Sequence, residues 1–358
     1  MRRRSTQLKA PFVWFGGKRR VADAVWRALG DVDNYVEPFA GSLACLLERP
    51  KSHNRRVETC NDADAYLCNV WRAIQAAPHE VARHCDWPVN ETDLFARHLW
   101  LVNEGVARIA ALERDPDYYD PKVAGWWLWG INAWIGSGWC SGDGPWKRDA
   151  DGAGVNRKLP HLGDGGRGVH RQLPHLGNQG QGVNQPDAPD AFTAGGSGAP
   201  RNEWHNPLPD LPAVYGYMQA LSNRLRRVRV CYGDWSRVVT DGALDCGGTV
   251  GVFLDPPYLG DVRTRDLYRV DDHSIAHDVR QWCLDHGDDP RLRIVLAGYT
   301  DEHETHMPDT WRRHRYSASV AYQTAENKGG SNAENRHKEC LWLSPACATT
   351  QRQIRLAI

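Results

Sequence analysis

Val250-Gly-Val-Phe-Leu254-Asp255-Pro256-Pro257-Tyr258 is the stretch that decides the fold. Its first half is a short unbroken apolar run and predicts a buried strand. Two prolines then end the ladder, because proline has no N–H to give and its ring fixes φ. A carboxylate, a free carbonyl and an aromatic ring are thereby held at the carboxyl end of a central strand. In open α/β sheets, ligands bind at that end. A plain strand and Pro-Pro turn writes the same letters, so the remainder of the chain has to decide.

Those groups suit one difficult reaction. The exocyclic amine of adenine is a poor nucleophile, because its lone pair is delocalised into the ring. If Asp255 and the Pro256 carbonyl accept its two N–H bonds, the nitrogen is drawn toward tetrahedral geometry and the lone pair is freed. Tyr258 is placed to stack on the base face. A base inside a duplex cannot reach such a site and has to be flipped out.

Upstream, three more strand ends are written in the same style. Asp33-Asn-Tyr-Val36-Glu37-Pro38-Phe39-Ala40-Gly41-Ser42 reads as a strand ending at Glu37, a tight glycine turn and an apolar helix from Leu43 to Leu47. That is the first βα unit of a nucleotide-type sheet, although it is not GxGxxG and does not indicate a dinucleotide. Asp62, in Asn61-Asp62-Ala-Asp64, stands 21 residues after Gly41, at the end of a strand Val57–Cys60. An acid about 20 residues after the glycine turn commonly takes ribose hydroxyls. Asp64 suits the cap of the following helix, which leaves Asp62 for a ligand. Later, a strand Val228–Tyr232 ends at Gly233-Asp234-Trp235. Near the N-terminus, Trp14-Phe-Gly16-Gly17-Lys18 allows close backbone approach to a ligand beside a cation, before a helix Val21–Leu29. It is not the GxxxxGK[ST] of a phosphate-binding loop, and a simple turn accounts for it equally.

Between these segments the sheet pattern stops. Glu91–Glu113 and Gly125–Ile135 are expected to be helical, the latter with a stripe of Trp126, Trp129, Ala133 and Trp134 that reads as core. Residues 141–206 are rich in glycine and proline. Inside them, Arg157–His170 and Arg171–Asn184 repeat with a period of 14 and nine identities. Two such units are too few for a solenoid, so residues 154–184 read as a duplicated mobile loop, either a DNA-touching element or a spacer. Sheet logic resumes with a helix face Val214, Tyr217, Met218, Leu221, Leu225. A helix Asp272–His286 and strands Ile294–Ala297, Tyr316–Ala321 and Cys340–Leu343 follow.

The 358 residues suffice for one large or two modest domains, and 44 basic residues balance 44 acidic ones. That balance excludes an all-over basic coat but leaves room for local patches such as Trp311-Arg312-Arg313-His314-Arg315. Such runs usually mark solvated faces. Ten scattered cysteines show neither CxxC nor zinc spacing, so reduced thiols and a cytoplasmic setting are expected. His303-Glu-Thr-His306 is one residue short of HExxH and reads as surface loop; no metal is expected. Neither a signal peptide nor a membrane span is indicated.

Taken together, the motifs resemble the Dam-type class of DNA adenine-N6 methyltransferases. Trp14-Phe-Gly-Gly-Lys18 is similar to the N-terminal motif of that class, WAGGK, with Phe15 replacing the usual alanine. Glu37 to Ser42 matches its S-adenosyl-L-methionine motif, and Asn61–Asp64 its ribose motif, with Asp64 where asparagine is usual. Gly233-Asp234-Trp235 resembles the element beside the cofactor adenine, and Asp255–Tyr258 the catalytic motif. The resemblance covers residues 11–75 and about 228–345 and fits residues 80–210 poorly.

The resemblance implies a Rossmann-like α/β methyltransferase sheet built from residues 1–78 and 207–358, with a helical, loop-rich recognition region inserted at 79–206. It implies methyl transfer from S-adenosyl-L-methionine to adenine N6 in double-stranded DNA by a monomer, with a restriction endonuclease in trans as an optional partner. Asp255, Pro256, Pro257 and Tyr258 would be catalytic. Trp14, Gly17, Lys18, Glu37, Pro38, Phe39, Ala40, Gly41, Asp62, Asp234 and Asp255 would hold the cofactor. Cytosine N4, adenine in RNA, and a silent DNA-binding relative stay open as alternatives.

Overall fold

A computed structural model of the chain describes residues 8–12, 14, 18–54, 57–134, 139–140, 146–148, 155–157, 212–257, 275–316 and 339–348. Its strands are β1 (Asn34–Glu37), β2 (Val57–Asp62), β3 (Trp146–Arg148), β4 (Val155–Arg157), β5 (Val228–Tyr232), β6 (Val250–Leu254), β7 (Leu292–Tyr299), β8 (Arg312–Arg315) and β9 (Glu339–Leu343). Its helices are α1 (Arg19–Leu29), α2 (Ala44–Leu47), α3 (Ala65–Ala76), α4 (Pro78–Cys85), α5 (Glu91–Trp100), α6 (Val106–Ile109), α7 (Pro121–Ala133), α8 (Ala213–Leu225), α9 (Asp241–Leu244), α10 (Ile275–His286) and α11 (Thr300–His303). Among the described residues the chain divides into two compact units, with boundaries near residues 13, 64 and 225.

One unit holds a seven-stranded mixed sheet in the order β5-β2-β1-β6-β7-β9-β8. β5, β2, β1, β6 and β7 run parallel, and β9 is antiparallel to both β7 and β8. The all-apolar run of β6 is explained by its place: every residue of the strand is buried, as a central parallel strand requires. Val252, Leu254, Ile294 and Leu296 pack with Cys283 of α10 and Trp342 of β9 into the core of this unit. From β1 the chain steps outward through β2 to β5, then returns to the other side of β1 as β6. The strand order therefore reverses between β1 and β6, the position where such sheets open a crevice.

One expectation is refined and one corrected in this unit. The basic run Arg312–Arg315 is solvated, with three of its four residues exposed, but as the edge strand β8, paired to β9 through Arg312↔Leu343 and Arg315↔Cys340. Charged residues suit an edge, because they discourage pairing with another chain. His303, expected in a surface loop, is fully buried at the end of α11. Its ring fills the space over Gly298, where an added Cβ would come within 2.3 Å of Nε2. The strand expected at Tyr316–Ala321 lies, beyond Tyr316, outside the described residues.

The other unit is helical and, among the described residues, includes α3 to α8 and the β3–β4 hairpin. α3 packs with α4, α7 and α8. Glu91–Glu113 is helical throughout, with one π turn at Leu101–Gly105. Asn69 of α3 donates to the Asp120 carbonyl (3.0 Å) and accepts from its N–H (2.7 Å). The Asp120 carboxylate in turn caps α7 by accepting from Lys122 and Val123 N–H, each at 2.9 Å. The stripe of Trp126, Trp129, Ala133 and Trp134 is core in part: Trp129 and Ala133 are buried. Trp126 instead joins a cation–π stack, with Lys122 between Trp100 and Trp126 (4.2 and 4.4 Å) and Arg97 over Trp87, Trp126 and Trp129.

α7 meets α4 at Gly125, where an added Cβ would lie 2.3 Å from His84 Cβ and 2.8 Å from the Val81 carbonyl. Gly125→Ala is therefore expected to destabilise the protein. Overpacking costs about 1–3 kcal/mol, and roughly 1 kcal/mol of helix propensity offsets it. Urea unfolding checks this; a variant as stable as wild type would show that α4 and α7 can part without cost. All ten cysteines are free thiols. No described helix is long and apolar enough to cross a membrane.

Candidate active site

The carboxyl ends of β1, β2, β5 and β6 come to one edge of the sheet because those strands are parallel and in register, with Glu37 level with Cys60 and Asp62 level with Tyr232. That edge carries Glu37, Asp62, Asp234 and Asp255.

The turn after β1 is tight. Gly41 has φ +46°, a left-handed conformation that favours glycine, and Leu43 shares it at φ +54°. Trp14 closes over Gly41: an added Cβ would stand 2.8 Å from Trp14 Nε1. Gly41 N–H donates to Asp62 Oδ2 at 2.8 Å, which joins the glycine turn to the acid 21 residues later. Asp64, directly before α3, donates its backbone N–H to Asp62 Oδ1 at 2.8 Å. Asp62 keeps some exposed surface, but burial of its carboxylate pushes the pKa up to about 7 from the usual 3.8. The N–H groups of Asp64, Gly41 and Ala63 oppose that rise, and the charge of Asp64 adds to it.

At the other side of the crevice Lys18 Nζ lies 3.1 Å from Asp255 Oδ1, with Lys18 7% and Asp255 20% exposed. A helix start at Arg19 thus puts a buried ammonium directly against the carboxylate that ends β6. Pro256 is buried beside it. The Cys45 thiol of α2 is pushed well up, first by burial and then by the charges of Glu37 and Asp255.

Residues 14–104 match the family model of the D12 class N6 adenine-specific DNA methyltransferases. The Dam-type resemblance is shown over that stretch. It takes in Trp14, Lys18, the Glu37–Gly41 turn and Asp62. No curated protein matches the chain.

Against that D12-class frame, Glu37 is buried, and its Oε2 accepts from Tyr35 Oη (3.0 Å) and from the Leu46 N–H (3.1 Å). It ties β1 to α2. Asp234 caps the helical turn Trp235–Val238, accepting from the Ser236 N–H at 2.9 Å and from its hydroxyl. Phe39 stacks on Trp235, with ring centroids 6.0 Å apart. Ala40 is buried, and its N–H donates to the Asn61 carbonyl at 2.9 Å. The Pro38 carbonyl accepts from Asn61 Nδ2. Gly17 and Tyr258 lie outside the described residues. Asn61 itself was not expected as a site residue. It is 1% exposed, and its Oδ1 has no donor among the described residues.

These features fit S-adenosyl-L-methionine. The glycine turn under Trp14, the carboxylate at the end of β2 and the orphaned amide oxygen beside it are polar groups of the kind a ribose-bearing cofactor engages. Among the described residues there is no group of His, Cys, Asp and Glu that could hold a metal ion.

Proposed function

We propose that the protein transfers a methyl group from S-adenosyl-L-methionine to N6 of adenine in double-stranded DNA, on a Rossmann-like methyltransferase sheet. The observation that carries this reading is Asp255 held by Lys18 at the strand-order reversal, across from the Gly41–Asp62 turn. When bound, S-adenosyl-L-methionine supplies an electrophilic methyl on a sulfonium. Trp14, Lys18, Glu37 to Gly41, Asp62 and Asp234 are assigned to its site, either by contact or by shaping the loops.

Asp255 and the Pro256 carbonyl accept the two N–H bonds of the flipped adenine amine. That interaction grows as the nitrogen becomes positive, so it favours the transition state over the ground state. Lys18 holds the carboxylate in place, so less reorganisation is needed at the moment of reaction. Asp255 is also the nearest acceptor for the proton the amine must then lose. Tyr258 is assigned to stack on the extruded base.

Treating unmethylated plasmid with the protein and isotopically labelled S-adenosyl-L-methionine, then mapping modified bases by long-read sequencing, tests the proposal. Label at N6 of adenine within one short sequence context is expected. Label at cytosine N4, label on RNA alone, or none at all would refute it.

A further inference from the structure

We propose that Asn61 is a positioning residue that sets the width of the S-adenosyl-L-methionine cleft; this deepens the functional reading above and rests on it. Asn61 lies at the end of β2, between the loops that follow β1 and β5. Its two Nδ2 protons are spent one on each loop, on the Pro38 carbonyl at 3.1 Å and the Gly233 carbonyl at 2.9 Å. The backbone of the same dipeptide repeats the pattern. Ala40 N–H donates to the Asn61 carbonyl at 2.9 Å, and Gly233 N–H to the Asp62 carbonyl at 3.0 Å. The ligand-facing loops of three strands thus hang on Asn61-Asp62.

The chemistry of the position is specific. A short side chain must offer two diverging donors from one atom, which a carboxamide does and a carboxylate or hydroxyl does not. Its Oδ1 is buried without a donor among the described residues. A side chain selected only for stability would be expected to have both ends satisfied. Here the donors do the joining, and the loops they join carry Phe39 and Trp235, whose rings meet at 6.0 Å. Without the bridge those loops can part, and the cofactor has to bring them together as it binds.

Calorimetric titration with S-adenosylhomocysteine, which binds but cannot react, tests the inference on the full chain. Asn61→Asp keeps the shape and turns a double donor into a carboxylate facing two carbonyls; Asn61→Ala removes the group. Both are expected to weaken binding about 10-fold or more, roughly the cost of one or two lost hydrogen bonds. The KM for S-adenosyl-L-methionine should rise in step, while kcat at saturation falls less than about threefold, because the groups that touch the adenine are intact. Asn61→Ser, with one donor left, should fall between wild type and Asn61→Ala, and serves if the others do not fold. A folded variant with wild-type affinity, or one that loses kcat with KM unchanged, would overturn the assignment. Failure of the wild type itself to bind S-adenosylhomocysteine would instead remove the functional reading on which it rests.

Discussion

Asp255→Asn is expected to slow single-turnover methyl transfer by about 100-fold or more while changing cofactor and DNA affinity by no more than about twofold. The asparagine keeps the size of the side chain and one acceptor oxygen, so the adenine can still dock. What it loses is the negative charge that stabilises the amine as it turns into an ammonium. Removing one preorganised electrostatic partner of that kind usually costs two to three orders of magnitude. Asp255→Ala is the weaker experiment, because it leaves the buried Lys18 with neither charge partner nor acceptor at that position, whereas asparagine still offers it an oxygen. Breaking a buried ion pair destabilises by roughly 3–5 kcal/mol, which would mix folding with chemistry. A rapid-quench assay with both ligands saturating reads the chemical step alone. If Asp255→Asn methylates at the wild-type rate, Asp255 is a structural partner of Lys18 and the catalytic assignment falls.

The parallel core was legible because its strands carry their burial in the sequence. β6 is apolar without interruption and ends in two prolines, so both its place and its end could be read. β8 was not legible. Its four residues are Arg, Arg, His and Arg, and three are exposed. Nothing in their order distinguishes an edge strand from a solvated loop; the difference lies in the facing strand. Arg312 donates to the carbonyls of Cys347 and Ala348, and Arg313 lies over Trp342, partners distant in sequence. His303 was misread for a related reason. A short polar segment looks exposed until Gly298 is seen to leave room for an imidazole.

The site divides along the same line. The Gly41 turn and Asp62 were both picked out from their spacing, as groups for a ligand; that Asp62 accepts from the Gly41 N–H was not read. The Lys18–Asp255 pair was not: both residues were singled out, for different roles, but their meeting depends on how α1 starts relative to the end of β6. Asn61 was missed although its neighbour was chosen. Its function needs Gly233, 172 residues away, and no local pattern marks an asparagine that bridges two carbonyls. Leu43 in a left-handed conformation was equally hidden, since that position would ordinarily call for glycine.

Cofactor affinity is expected to fall as the pH drops below about 7, through Asp62. In the ligand-free protein, burial raises this carboxyl to about 7. Its sign for stability follows from that direction. The group's contribution is fully present below the unfolded pKa of 3.8 and is lost as pH rises toward about 7, because ionising it in the folded state is unfavourable. Ribose hydroxyls reverse the preference: they donate to the carboxylate and so favour its charged form. Binding below about pH 7 must therefore expel a proton, and affinity should drop by up to about tenfold per pH unit there, levelling off above. Calorimetry with S-adenosylhomocysteine at several pH values, in two buffers of different ionisation enthalpy, measures both the affinity and the proton released. Asp62→Asn should bind more weakly, by roughly 1–3 kcal/mol for the lost charged hydrogen bonds, and with a flat profile across the same range. Should wild type be flat as well, with no proton released near pH 6, the ribose would not be bound by Asp62. The carboxylate would then serve only the Gly41 and Asp64 amides it already holds.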